Sequence, residues 1–478
     1  MIYIKNYIGG NFLDSKRQIK SLNPSTGEQI ASVPDSSSID LEKAIESSNR
    51  AFSDWSNLGS ERRSYYILKI AHEIEKNLIK YSEYETIDNG KPISISRNIE
   101  IPRAIENLRF FSSIIRGYTT DAFTMEGIGQ NYTIRHPLGV VACISPWNLP
   151  LYLLTWKIAP ALVSGNCVIA KPSEITPLTA FLLSKSCDEA GLPPGVLNII
   201  HGKGSNIGKM IVKNNKIKAI SFTGGTNTGE FIARNVSPFK KISLEMGGKN
   251  PVIIFSDCNY NKMLDTTIKS SFYNQGQICL AGSRIYIQDK IYDRFKTDFI
   301  SRIKKLKIGD PLLFESDQGA IVSKDHLKKI ISYIEVAKSE GGNILIGGNR
   351  LSFNSKLKNG NFIEPTVIEG LKQSSIVNKE EIFGPVVTIT PFGSLDEAIN
   401  LANDSEYGLA SVVWTENLST AHRISEKIKT GIVWINSWLL RDLRTPFGGM
   451  KQSGFGREGG YEAIDFFTEQ KNICFKYN

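Results

Sequence analysis

Between Pro34 and Ile115 the apolar residues recur at helical spacing, as in LEKAIESSNRAFSDW and YYILKIAHEIEKNLI, with polar breaks between the runs. This spacing predicts a series of amphipathic helices. Beyond Tyr132 the texture changes to short β-branched runs: VVACI at Val140, NCVIAK at Asn166, VLNIIHG at Val196 and KAISFTGG at Lys218. Helical segments such as PLTAFLLSKSCDEAG stand between them. A second series follows, with PVIIF at Pro251, RIYIQD at Arg284, PVVTITPF at Pro385, ASVVWT at Ala410 and GIVWINS at Gly431. Strands alternating with helices predict parallel sheets, and two series predict two α/β domains.

Two β-forming pieces lie outside these series, one around NYTIRHP and one in the tail DFFTEQKNICFKYN. Each is expected to need a partner edge. No long flexible linker, low-complexity stretch or internal repeat separates the α/β regions, so they are expected to be closely joined.

At 478 residues the chain exceeds what one core usually serves, in keeping with two or three domains. The formal charge of +9 raises the question of nucleic acid, but the basic residues are scattered. Their densest cluster, RIKKLK at Arg302 to Lys307, alternates with apolar residues as a helix face does, so no nucleic-acid partner is expected. A positive field still suits an anionic substrate or a dinucleotide. The start MIYIKNYIGGNF has neither an apolar centre nor a small-residue cleavage site, and no run approaches the roughly 18 apolar residues of a membrane span. A cytoplasmic location without a membrane partner is the expectation.

Six cysteines, at positions 143, 167, 187, 258, 279 and 474, show no paired spacing, which argues against disulfides and a zinc site. Five histidines, none at ligand spacing to another, leave no metal site expected and no support for a cysteine–histidine pair. A base for a cysteine nucleophile would then be a carboxylate.

Cys279, in NQGQICLAGSR, is flanked by Gln277, Gly276 and Gly282, so a substrate carbon can approach its sulfur. A lone cysteine is more often a small buried hydrophobe, and the surrounding strings decide the matter. Glu245, in SLEMGGKNP, is the candidate base, although a strand-end carboxylate capping the Gly247–Gly248 turn is the commoner role. In HGKGSNIG, Gly202, Gly204 and Gly208 follow a strand with GxGxxxG spacing, which departs from the usual dinucleotide fingerprint. In FTGGTNTG a strand ends at Gly224 and Gly225 and a helix opens with Thr226, an arrangement that exposes backbone N–H groups to a pyrophosphate. A plain glycine turn reads the same way.

SPWNLPL at Ser145, KPSE at Lys171, FTGGTNTG at Phe222, the Glu245 and Cys279 segments, EEIFGPV at Glu380 and PFGGMKQSG at Pro446 occur in this order. On these strings the chain resembles the NAD(P)-dependent aldehyde dehydrogenase superfamily, nearly end to end. The resemblance implies a Rossmann-like cofactor domain from residues 1–117 and 138–247 and a second α/β catalytic domain at 248–447. It also implies a small β oligomerisation domain from 118–137 and 465–478, with a homodimer or homotetramer as the assembly.

The same resemblance implies the roles of individual residues. Cys279 adds to the aldehyde carbon, Asn148 joins the Cys279 N–H in binding the oxyanion, and Glu245 activates the water that hydrolyses the thioester. Keeping this glutamate favours hydrolysis over acyl transfer to coenzyme A. Lys171 and Glu174 bind the adenosine ribose, and a carboxylate there repels a 2′-phosphate, so NAD is favoured over NADP. Trp147, Gly204, Gly208, Phe222, Gly224, Gly225 and Thr228 complete the cofactor contacts, with Glu381 and Phe383 at the nicotinamide end.

Arg441 and Arg444, just before PFGG, put charge where many relatives line the aldehyde tunnel with aromatic or small residues. This stretch is most similar to the 2-hydroxymuconic and 2-aminomuconic semialdehyde dehydrogenases, whose substrates carry a distal carboxylate. Arg441 and Arg103 are the candidate carboxylate ligands, and Tyr152 and Trp156 candidate tunnel walls; surface ion pairs and plain packing are the alternatives. Betaine aldehyde, lactaldehyde and succinic semialdehyde remain alternative substrates. A non-catalytic relative should have lost Cys279, Glu245 or Asn148, and all three are present.

Overall fold

The computed structural model describes residues 1–478. The helical periodicity of the N-terminal region becomes four helices, Ser38–Asn57, Ser60–Lys76, Leu78–Asn89 and Ile101–Ile114. The last is entered through a π-helical turn, Ser96–Glu100, and carries Pro102 at its start, where a missing N–H costs nothing. Arg103 follows on the first turn.

The first β series forms the centre of an eight-stranded sheet. Its five middle strands run parallel in the order Lys241–Glu245, Ala219–Thr223, Val140–Ile144, Cys167–Lys171 and Leu197–Ile199. The hairpin Asn6–Ile8 and Asn11–Leu13 closes one edge and Gly454–Phe455 the other, both antiparallel. Because the strands are covered on both faces, their residues are almost all buried, which explains unbroken apolar runs in place of alternation. From Val140 the chain winds outward through Cys167 and Leu197, then returns to lay Ala219–Thr223 on the other side of Val140–Ile144. Strand order therefore reverses between these two, and the crevice beyond their carboxyl ends is where such sheets take ligands.

The second series forms a seven-stranded sheet in the order Asn343–Ile346, Thr366–Glu369, Val386–Phe392, Gly282–Gln288, Asn250–Ile254, Ala410–Trp414 and Ile432–Ile435. Only the Asn343 edge is antiparallel. The two outlying β pieces pair with each other over nine positions, Gly129–Pro137 against Thr468–Lys476, and Ala122–Met125 extends them into a three-stranded sheet. No helix is long and apolar enough to cross a membrane.

One local expectation is corrected. The RIKKLK segment is not a continuous helix face, because the helix Tyr292–Ile303 ends inside it. Leu306 turns back to pack beside the core, and Lys304 and Lys305 fall at the helix C-terminus, where the backbone dipole favours cations.

Candidate active site

Cys279 is a half-buried residue shared by two cavities. The larger, about 550 Å³, runs past Arg103, Leu149, Tyr152, Tyr273, Arg441 and Phe447. The smaller, about 220 Å³, lies at the crevice of the first sheet and is lined by Trp147, Asn148, Gly224, Gly225, Glu381 and Phe383. The sulfur thus stands where a molecule in one cavity meets a molecule in the other.

The peptide reaches this place through a tight turn, Tyr273–Gly276, in which Asn274 and Gln275 adopt φ of 50° and 55°. Left-handed backbone at ordinary residues persists only where surroundings hold it. Here the Asn274 amide donates to the Asn148 carbonyl (3.1 Å) and the Gln275 amide to the Ala320 carbonyl (2.8 Å). On the far side, a Cβ at Gly248 would lie 2.9 Å from the Cys279 carbonyl oxygen, so the GG turn after Glu245 is a requirement of close approach. Burial pushes the Cys279 thiol up to about 12, with the negative charges of Glu381 and Glu245 adding to the shift and Arg441 opposing it.

Asn148 donates one amide N–H to the Gln277 carbonyl at 3.1 Å, which leaves the other for a ligand. Its own carbonyl accepts from Lys91 Nζ at 2.8 Å, and that ammonium is held in turn by the buried Glu100. Glu245 closes the strand Lys241–Glu245; it is buried and neither carboxylate oxygen has a hydrogen-bond partner. Burial, then the neighbouring Glu458, raise its pKa well above the usual carboxylate range. Glu458 lies 2.6 Å from Lys157 Nζ, and Ser221 bonds both. Gly448 of PFGG is also a close approach, since a Cβ there would stand 2.7 Å from Glu245 Oε1.

In the smaller cavity, Trp147 meets Phe383 edge to face with ring centres 5.2 Å apart, and His326 lies 5.1 Å from Trp147. His326 shares a 2.7 Å hydrogen bond with the Phe383 carbonyl, and burial lowers its pKa to about 4, so the ring is neutral and the shared proton sits on Nε2. Glu381 accepts the Gly248 N–H at 2.8 Å, and burial raises its pKa. Farther along the crevice, Glu174 accepts from Lys171 Nζ (2.9 Å) and from the Gly204 N–H (3.0 Å). Burial alone would raise the Glu174 pKa, but the ammonium and the N–H outweigh it and hold the carboxyl low.

These residues fit a dinucleotide. Gly225 caps the ten-residue helix Thr226–Asn235 and faces open space, offering N–H groups to a pyrophosphate, while Lys171 and Glu174 stand ready for ribose hydroxyls. One sequence expectation differs. Phe222 is 4% exposed and belongs to the core; its ring lies under Gly224, where a Cβ would meet it at 2.4 Å, and it does not line the cleft. Thr228 is an exposed residue in the first helical turn, and Gly208 ends a short π-helical turn begun by Gly204.

In the larger cavity, Tyr152 forms wall as expected, but Trp156 does not: it is 2% exposed and supports Arg441 from beneath. The Arg441 guanidinium lies 4.3 Å from the Trp156 ring centre and 4.0 Å from that of Phe447, and Nη1 donates to the Tyr152 hydroxyl at 3.1 Å. Its Nε and Nη2, and the Nε of Arg103, are buried without partners. Arg444 instead pairs with Asp442 in solvent. Lys157, Glu458, His326 and Tyr273 were not singled out by sequence, since none sits in a recognisable motif.

Residues 12–473 match the aldehyde dehydrogenase family. The chain is 45% identical over 481 residues to a 2-aminomuconic semialdehyde dehydrogenase of Bos taurus, covering 100% of this chain and 99% of that one. It is 41% identical over 482 residues to a 2-hydroxymuconic semialdehyde dehydrogenase of Pseudomonas sp. (strain CF600), covering 99% of both. The crystal structure of a betaine aldehyde dehydrogenase of Staphylococcus aureus in complex with NAD+ superimposes with a TM-score of 0.95 at 38% identity, covering 98% of this chain and 94% of the other. With the family match spanning nearly the whole chain and relatives of 41% and 45% identity covered end to end, the protein belongs to the aldehyde dehydrogenase family.

Proposed function

We propose that this oxidoreductase converts a semialdehyde with a distal carboxylate to the diacid, with NAD as oxidant. The observation that carries the substrate class is Arg441. A guanidinium stacked between two rings, with two nitrogens buried and unpartnered inside a cavity that ends at Cys279, is costly unless an anion completes it. A carboxylate fits that fork. Two of the relatives named above are 2-aminomuconic and 2-hydroxymuconic semialdehyde dehydrogenases, and both semialdehydes are of this class.

In this reading the Cys279 thiol gives its proton to Glu245, which passes it to solvent, and the sulfur adds to the aldehyde carbon. The carbonyl oxygen becomes an oxyanion, met by the free N–H of Asn148 and the backbone N–H of Cys279. NAD bound in the crevice supplies the hydride acceptor for that carbon. The acid remains on Cys279 as a thioester. Glu245, ionised again, takes a proton from water as its oxygen attacks the thioester, and returns that proton to the departing sulfur, which frees the acid and restores the thiol. Lys171 and Glu174 orient the adenosine ribose, and Glu381, Phe383 and Trp147 enclose the nicotinamide end.

The reading includes a cytoplasmic homodimer or homotetramer. Ala122–Met125 is fully exposed along the open edge of the small sheet, and Phe123 is 59% exposed on it, which suits strand pairing between copies. Light scattering tests the assembly. The substrate class is tested by NADH production from aldehydes of equal length with and without a terminal carboxylate: a preference for the acid is expected, and a preference for the neutral aldehyde overturns the reading.

A further inference from the structure

Tyr273 lines the larger cavity together with Ile278, Cys279 and Leu280, and its hydroxyl is buried without a hydrogen-bond partner. The phenol opens the pinned turn Tyr273–Gly276, so it is held in fixed relation to the sulfur that the same segment delivers. Its ring packs edge-on against Trp438, with centres 6.2 Å apart, and the Trp438 indole N–H is in turn bound to the Leu280 carbonyl at 3.0 Å. An enclosed hydroxyl without a partner is costly, and a ligand atom that bonds it recovers the loss.

The surroundings select the chemistry of that atom. Burial first and then the charge of Glu100, which lines the same cavity, raise the phenol pKa, so the hydroxyl keeps its proton. The unpartnered Arg441 and Arg103 nitrogens attract the carboxylate elsewhere in the cavity. The aldehyde oxygen is already claimed by Asn148 and the Cys279 N–H. What remains for Tyr273 is a neutral polar group on the chain between aldehyde and acid. We propose that Tyr273 is a specificity-determining residue whose hydroxyl bonds a hydroxyl, amino or oxo substituent on the carbon chain of a carboxylated semialdehyde. The inference rests on the proposed substrate class and narrows it.

The test is Tyr273→Phe, which removes one oxygen and keeps the ring. Muconic semialdehyde and its 2-hydroxy derivative share length and carboxylate and differ in the substituent, so the readout is the ratio of their kcat/KM values. The ratio is expected to fall about ten-fold, the scale of one lost bond to a group the site is built to meet. Dissociation constants of the two acid products give the same ratio if turnover is lost. An unchanged ratio, whether both rates fall together or neither falls, overturns the role of Tyr273 and leaves the Arg441 reading standing. If the wild type oxidises neither compound, both fail.

Discussion

The guanidinium of Arg441 is stacked over Trp156, its carbon 4.3 Å from the centre of an indole that is 2% exposed. The stack fixes the plane of the cation beside the cavity, a geometry that lysine cannot reproduce. Arg441→Ala should lower kcat/KM for a carboxylated semialdehyde by about 2 to 4 kcal/mol of transition-state stabilisation. Arg441→Lys should recover little of it. A neutral aldehyde of the same length should lose little in either variant, and equal losses on both substrates would return Arg441 to a packing role.

The position of Cys279 between the cavities leads to a second expectation. Cofactor contacts come from the crevice residues, so Cys279→Ala should reduce aldehyde oxidation on the order of 10⁴-fold or more while NAD affinity, followed by protein fluorescence, stays near the wild-type value. Turnover that survives the substitution would remove the thioester route.

Glu174 sets a third. Its carboxyl is held low by Lys171 and the Gly204 N–H, so it is ionised at neutral pH. A fixed negative charge there favours a ribose hydroxyl over a 2′-phosphate, and the wild type should prefer NAD. Glu174→Gln should raise kcat/KM with NADP about ten-fold, since like-charge repulsion is relieved while Lys171 remains. Equal use of both cofactors by the wild type would contradict this.

Most of the parallel strands are readable because β-branched runs between turn residues are what a doubly covered parallel sheet demands, whereas Thr366–Glu369 and the antiparallel edge Asn343–Ile346 are not among the runs the sequence marks. Cys279, Glu245 and Asn148 were readable because each lies within a short motif. Phe222 was not, since the absence of a side chain at Gly224 lets the ring tuck beneath it, and this is a packing event without sequence periodicity. Trp156 was misplaced for a similar reason: it lies on the same helix as Tyr152, and only the arrival of Arg441 from nearly three hundred residues away decides that one forms wall and the other support. The Lys157–Glu458 pair spans 301 positions, and nothing local marks either residue.

That pair also governs the pH at which Glu245 works. Only the ionised carboxylate accepts a proton, and burial followed by the Glu458 charge raise the Glu245 pKa. Below that raised pKa the base is mostly protonated, so kcat should rise with pH above the usual carboxylate range until the group is ionised. Glu245→Gln should remove this rising limb and slow turnover about 10²- to 10⁴-fold, with no burst of NADH, because the thiol too loses its base. Glu458→Gln takes away a negative charge near Glu245 and frees the Lys157 ammonium, and both changes favour ionisation. The limb should therefore move to lower pH. Profiles of kcat against pH for the three proteins decide it: a limb that persists in Glu245→Gln, or one that moves upward in Glu458→Gln, would show that another group supplies the base.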